Sequence, residues 1–196
     1  MTHLEIEYKT LLNKDEFNHK DEFNRLTSLF SHVQPVTQTN YYFDTETFEM
    51  KAHRMSLRIR TLPNRAELTL KIPREVGNLE HNHDLTLEEA KYIVKNGQFP
   101  EDTEIASLIL EKGVDPTKLA VFGQLTTTRR EMETSIGLMA LDSNIYADIK
   151  DYELELEVKQ PKQGKRDFDQ FLKENNINFK YAKSKVARFS ATLKNN

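Results

Sequence analysis

The chain has 196 residues, 28 basic and 31 acidic, with a net charge of −3, no Cys and no Trp. That excludes disulfides, Cys-zinc sites and thiol nucleophiles, and gives no electrostatic case for nucleic acid. No apolar run nears the roughly 18–20 residues a bilayer span needs, and Met1–Glu7 lacks a basic-then-apolar secretory signature. A cytoplasmic protein of one domain, residues 1–196, is expected. Only 37% of the residues are hydrophobic and 30% are charged, so either the surface or part of the interior is heavily charged.

In chain order, Leu4 to Leu11 alternates as a strand, and Asp15 to Phe30 reads as a helix anchored by Phe17, Leu26, Leu29 and Phe30, with Asn13 as cap. Thr39 to Asp44, Ser56 to Thr61 and Arg65 to Ile72 read as strands. His81-Asn-His83 falls in a polar loop and reads as exposed. A Thr86-x-x-Glu89 box opens a helix to Lys95, and Ile105 to Lys112 is a second one ended by Gly113. Strands return at Leu125–Thr134, Met139–Ile149 and Asp151–Lys159, followed by a helix from Lys162 to Glu174 and a basic segment ending in Val186–Leu193. Strands with helices inserted between them predict an α+β domain on a mainly antiparallel sheet.

Strand parity locates the charges. Residues i and i+2 share a face, so Glu5, Glu7 and Lys9 oppose Leu4, Ile6 and Tyr8. Arg58 and Arg60 oppose Leu57 and Ile59, and Lys71 shares a face with Glu67. Glu153, Glu155 and Glu157 oppose Tyr152, Leu154 and Leu156. Same-sign runs on one face repel unless counter-ions lie between them. Helices must also cover the apolar faces, which turns the charged faces inward. About eight strands closed into a barrel enclose room for one small ligand. Carboxylates that hold hard cations, beside Arg and Lys that grip phosphate oxygens, suit a metal–polyphosphate site.

These residues resemble a known family. His3-Leu-Glu-Ile-Glu-Tyr-Lys9 carries a Glu-x-Glu-x-Lys element similar to the one that opens the CYTH superfamily, or triphosphate tunnel metalloenzymes. Its companions follow in order: Thr39-Asn-Tyr-Tyr-Phe-Asp-Thr45, Leu57-Arg-Ile-Arg60, Leu68-Thr-Leu-Lys-Ile-Pro73, Leu125-Thr-Thr-Thr-Arg129, Leu141-Asp142, Tyr152-Glu-Leu-Glu155 and Lys183-Ser-Lys185…Arg188. The resemblance covers nearly the whole chain. It implies an eight-stranded antiparallel closed barrel, a tunnel with a charged interior and helices packed outside, acting on a triphosphate-containing small molecule with Mg2+ or Mn2+.

Carried over residue by residue, the resemblance gives Glu5, Glu7, Glu153 and Glu155 metal-holding roles, with Asp142 and Glu157 as further acidic candidates. It gives phosphate binding to Lys9, Arg58, Arg60, Lys71, Arg129 and Lys185, and more loosely to Lys183 and Arg188. The catalytic group would be Glu5, Glu7, Lys9, Glu153 and Glu155. On its own sequence, Asp142 also reads as a turn residue, while Asp44 begins a turn and stays outside the site. The activity expected is metal-dependent hydrolysis of inorganic triphosphate, a nucleoside triphosphate or thiamine triphosphate. The alternatives are a class IV-type adenylate cyclase and a non-catalytic polyphosphate- or nucleotide-binding module. No membrane or nucleic-acid partner is expected, and the protein would be a monomer or homodimer.

Overall fold

A computed structural model describes residues 1–14, 21–100 and 103–193. Its strands are β1 (Thr2–Glu5), β2 (Glu7–Leu11), β3 (Val36–Asp44), β4 (Ser56–Thr61), β5 (Ala66–Pro73), β6 (Asn78–Leu85), β7 (Ala120–Thr134), β8 (Gly137–Tyr146) and β9 (Ile149–Glu157). Its helices are α1 (Glu22–Leu29), α2 (Glu49–Ala52), α3 (Leu87–Asn96), α4 (Glu104–Glu111), α5 (Pro161–Glu174) and α6 (Lys185–Thr192). The strand order is β1-β6-β5-β4-β3-β7-β8-β9-β2. Its two ends, β1 and β2, are successive pieces of the stretch Thr2–Leu11, parted at Ile6. The order therefore begins and ends on one N-terminal stretch, that of a nearly closed antiparallel barrel of the α+β class. Nine strands replace the eight expected because the N-terminal strand is interrupted.

The chain divides into two compact units, Met1–Leu4 with Gln38–Leu125 and Glu5–Thr37 with Thr126–Asn195. In the first, β3, β4, β5 and β6 pair antiparallel. Leu57, Ile59, Leu68 and Leu70 turn to one face and meet Ala90 and Ile93 of α3 and Ile105 and Ile109 of α4. The Thr86/Glu89 capping box forms as expected, and Gly97 at φ +67° ends α3. Asp44 is structural: its Oδ1 accepts from the Thr45 and Met50 amides and its Oδ2 from that of Lys51.

In the second unit β2 pairs β9, β9 pairs β8 and β8 pairs β7, all antiparallel. Met139, Leu141, Leu154 and Leu156 form the apolar face, covered by Phe23 and Leu26 of α1 and Phe168 and Leu172 of α5. In both units the helices take the apolar strand face and leave the polar face free of helix packing.

Several expectations are corrected. His81-Asn-His83 is no loop but part of β6, with His81 buried on the strand face that α4 covers. Alternation misses β6 because Glu80, Asn82 and Asp84 on one side meet His81 and His83 on the other, so neither face reads as apolar. The strand read as Met139–Ile149 stops at Tyr146, where Ala147 (φ +49°) turns the chain into β9. Asp142 is a fully buried residue inside that strand, which sets aside the alternative of a turn. The basic tail is a helix, α6. Helix α1 is capped by Asp21, whose side chain accepts from the Asn24 amide, and not by Asn13; the expected start at Asp15 and the anchor Phe17 lie outside the described residues.

Helix α5 sits very close to Val158, the residue that follows β9. A Cβ added at Gly164 would lie 2.6 Å from both Val158 methyl carbons. Gly164→Ala is expected to cost about 1–3 kcal/mol through overpacking. Val158→Ala should relieve most of that cost, so a double-mutant cycle in urea should return a coupling well beyond additivity.

Candidate functional site

The second unit gathers most of the acids. Strand register puts Asp142 opposite Glu153, Ala140 opposite Glu155 and Arg129 opposite Asp142, and directly opposed residues share a face. Asp142, Glu153 and Glu155 are all buried, and one oxygen from each lies within 4.8 Å of the others. Uncompensated carboxylates so placed would not stay ionised, because burial and mutual repulsion both raise their pKa values.

Compensation comes from two elements. From β7, Arg129 reaches Asp142 through two nitrogens, Nε to Oδ1 at 2.8 Å and Nη2 to Oδ2 at 2.7 Å, and also contacts Glu155. From α6, the Lys185 ammonium lies 2.9 Å from Asp142 and 2.7 Å from Glu155, and touches Glu153. Arg188, three residues on and therefore on the same helix face, binds Glu153 Oε2 at 2.9 Å and Asp151 Oδ2 at 2.9 Å. Helix α6 is held in place by the chain before it. The Leu11 amide donates to Lys180 O at 3.0 Å, the Lys180 amide donates to Thr10 Oγ1 at 2.8 Å, and Thr10 bridges to Tyr181. Two cations in the first turn of a helix oppose its dipole, and the acids around them offset that cost.

The charge states follow. Burial opposes ionisation of Glu155 and Asp142, yet Lys185 and Arg129 hold both carboxyls below their ordinary values. Burial pushes Glu153 up despite Lys185. Burial also works against the Lys185 charge, but Asp142, Glu155 and Glu153 raise its pKa well above the ordinary lysine value. Lys9 is raised in the same way against burial, chiefly by Glu7, 2.5 Å from its ammonium, and by Glu155.

The donor set fits a hard divalent cation, since its three oxygen ligands converge in one buried place. Lys185 already contacts all three, so an ion bound there would share those oxygens with, or take them from, the ammonium.

The first unit carries the second group. Arg58, Arg60 and Lys71 lie on one polar face with Asn40, Tyr42, Thr69, Glu80 and Asn82. Arg60 is 3.3 Å from Glu67, and Lys71 is 2.5 Å from the buried Glu80. Burial would raise the Glu80 pKa, but Lys71 and Arg58 hold it down to about 2.

Thus Asp142, Glu153, Glu155, Arg129, Lys185 and Arg188 are brought together in one unit, and Arg58, Arg60 and Lys71 share a face in the other. Glu5, Glu7 and Glu157 are half-buried outside the tight carboxylate group. The exposed Lys183 contributes its carbonyl, which accepts from Arg188 at 2.6 Å. Sequence reasoning missed Glu80, Gln38, Asn40 and Asp151. Only Asp151 carried a visible signal, as it shares parity with Glu153, Glu155 and Glu157.

A CYTH domain model matches residues 3–190. The chain belongs to the CYTH family. It is 34% identical over 188 residues to the Bacillus subtilis protein named "Putative triphosphatase YjbK", covering 95% of this chain and 94% of that protein. Among solved CYTH-like structures, a Bacillus halodurans protein described as a "putative adenylate cyclase" is 32% identical at a TM-score of 0.87, covering 96% of this chain and 98% of that one. A Hippeastrum protein, HpAC1, described as a "putative adenylyl cyclase" with a dominant triphosphatase activity, is 25% identical at a TM-score of 0.81, covering 96% of each chain. These relatives carry enzyme names. No described helix is long and apolar enough to cross a membrane.

Glu80 gives a pH test. Its folded pKa, about 2, lies below its ordinary 4.5, so the stability it contributes is complete above pH 4.5 and is lost as pH falls towards 2. Glu80→Gln should therefore unfold about 2–3 kcal/mol more easily than wild type at pH 6. That gap should narrow steadily between pH 4.5 and pH 2 in urea titrations.

Proposed function

We propose that residues 1–196 act as one catalytic domain, a divalent-metal-dependent triphosphatase that cleaves inorganic triphosphate or the triphosphate end of a small molecule. The observation that carries this reading is the convergence of three buried carboxylates, Asp142, Glu153 and Glu155, on the polar face of a CYTH barrel. Relatives named for triphosphatase activity support it. Magnesium or manganese held by these oxygens would supply charge neutralisation at the phosphoryl oxygens and a Lewis acid for the attack.

The chain's own residues do the rest. Arg58, Arg60 and Lys71 bind the phosphate chain and neutralise charge that accumulates as the terminal bridging P–O bond lengthens. Glu80 holds Lys71 in place between turnovers. Arg129 and Lys185 keep Asp142 and Glu155 ionised, Arg188 holds Glu153 in place, and all three cations turn to phosphoryl oxygens when substrate arrives. Lys9, tied to Glu7, adds a cation from β2, while Glu5, Glu7 and Glu157 extend the acidic face and Lys183 adds charge at its edge. Water adds to the terminal phosphorus, the bridging P–O bond breaks, and phosphate leaves with diphosphate or the organic diphosphate. Phosphoryl transfer depends on positioning and charge neutralisation, so a chain without Cys loses nothing by lacking a thiol nucleophile. The reaction would take place in the cytoplasm, on a small molecule, in a monomer or homodimer.

Phosphate release from inorganic triphosphate, ATP and thiamine triphosphate, each with magnesium or manganese, tests the proposal. Turnover of at least one is expected, with kcat/KM lowered at least about 100-fold in Glu155→Gln and in Arg58→Ala. The absence of turnover on all three by folded wild-type protein would refute hydrolysis. Cyclic AMP as the main product from ATP would assign the chain to the cyclases instead.

A further inference from the structure

The polar face of the first unit holds donors that nothing among the described residues satisfies. Gln38 and Asn40, alternate residues of β3, are 5% and 0% exposed. Asn40 lies opposite Arg60, and Tyr42 opposite Arg58, so both amides share the face of the two arginines. Arg60 Nε donates to Asn40 Oδ1 at 3.1 Å, which fixes the amide with its oxygen towards Arg60 and its nitrogen away. That nitrogen, Asn40 Nδ2, is buried without a hydrogen-bond partner among the described residues, as are Gln38 Nε2 and Arg58 Nε.

Buried donors are nearly always paired in native proteins, because each unpaired one is destabilising. Glu80 Oε1 on the same face also lacks a hydrogen bond but is already 2.5 Å from the Lys71 ammonium, so what is left over is three donors, the imprint of a ligand that accepts. We infer that Gln38 and Asn40 are substrate-binding residues whose amide N–H groups, with Arg58 Nε, hydrogen-bond phosphoryl oxygens. This rests on the triphosphate reading and deepens it. Phosphoryl oxygens only accept, whereas a nucleobase edge or a sugar hydroxyl also donates, and Asn40 has already given its acceptor to Arg60. Neutral donors also lengthen the anion's set of contacts without adding another like charge beside Arg58 and Arg60.

The test pairs calorimetric titration with the bridging-imido analogue of inorganic triphosphate, magnesium present, with thermal unfolding of the same proteins. Gln38→Met keeps volume and removes the donor. Asn40→Asp keeps an oxygen for Arg60 and replaces the donor with a second anionic oxygen. Gln38→Met should weaken binding about 10- to 100-fold, the range for one hydrogen bond to a charged group, and Asn40→Asp by about 100-fold or more. Gln38→Met should also melt no lower than wild type, since it loses an unsatisfied donor. If Asn40→Asp does not fold, Gln38→Met decides alone.

A lower melting temperature with unchanged affinity would assign these side chains to structure and overturn the inference. So would a loss confined to an ATP analogue, with the inorganic analogue bound normally. Wild-type protein that fails to bind the inorganic analogue overturns the triphosphate reading and this inference together. Normal wild-type binding that neither variant weakens overturns the inference alone.

Discussion

The buried ammonium of Lys185 among Asp142, Glu153 and Glu155 is the contact on which the second unit depends. Three carboxylates out of water repel one another and lose hydration, a cost of several kcal/mol per ion even after relaxation. Strands cannot avoid bringing them together, because register fixes Asp142 beside Glu153, and parity fixes Glu155 on the same face. A cation delivered from outside the sheet makes the cluster tolerable. That explains why the last helix begins with a lysine, why Arg188 follows one turn later, and why the chain before it is tied to β2.

The first unit solves the opposite problem with the same chemistry. Arg58, Arg60 and Lys71 crowd one face, and Glu67 and Glu80 answer them. Each group of charges carries its own counter-ions while the protein is free. Substrate phosphates and a divalent cation are, on the proposed reading, better counter-ions than the resident side chains. Such sites are held at a cost to stability, visible here in the unpaired donors of Gln38, Asn40 and Arg58.

Parity in the sequence was enough to find the charged faces, because alternation around Leu57/Ile59, Leu68/Leu70 and Leu154/Leu156 leaves the charged residues no other side. The ordered motifs were enough to name the family and its barrel. Strand β6 escaped because His81 stands on its helix-covered face where an apolar residue would have announced a strand. Glu80 escaped with it. The part played by Lys185 was not legible, since its position among the carboxylates depends on how α6 docks, and local sequence does not encode that. Gln38 and Asn40 were hidden for another reason. Amides on a strand look like ordinary surface residues until burial and missing partners mark them out.

The central claim, that Asp142, Glu153 and Glu155 form a cation site on a charged strand face, is tested most directly by titrating the full chain with Mn2+ and following the free ion by electron paramagnetic resonance. Wild type should bind manganese, Glu155→Gln should bind it at least about 10-fold more weakly, and Arg58→Ala, which leaves the carboxylates untouched, should bind it as wild type does. No binding by folded wild type, or equal binding by Glu155→Gln, would contradict it.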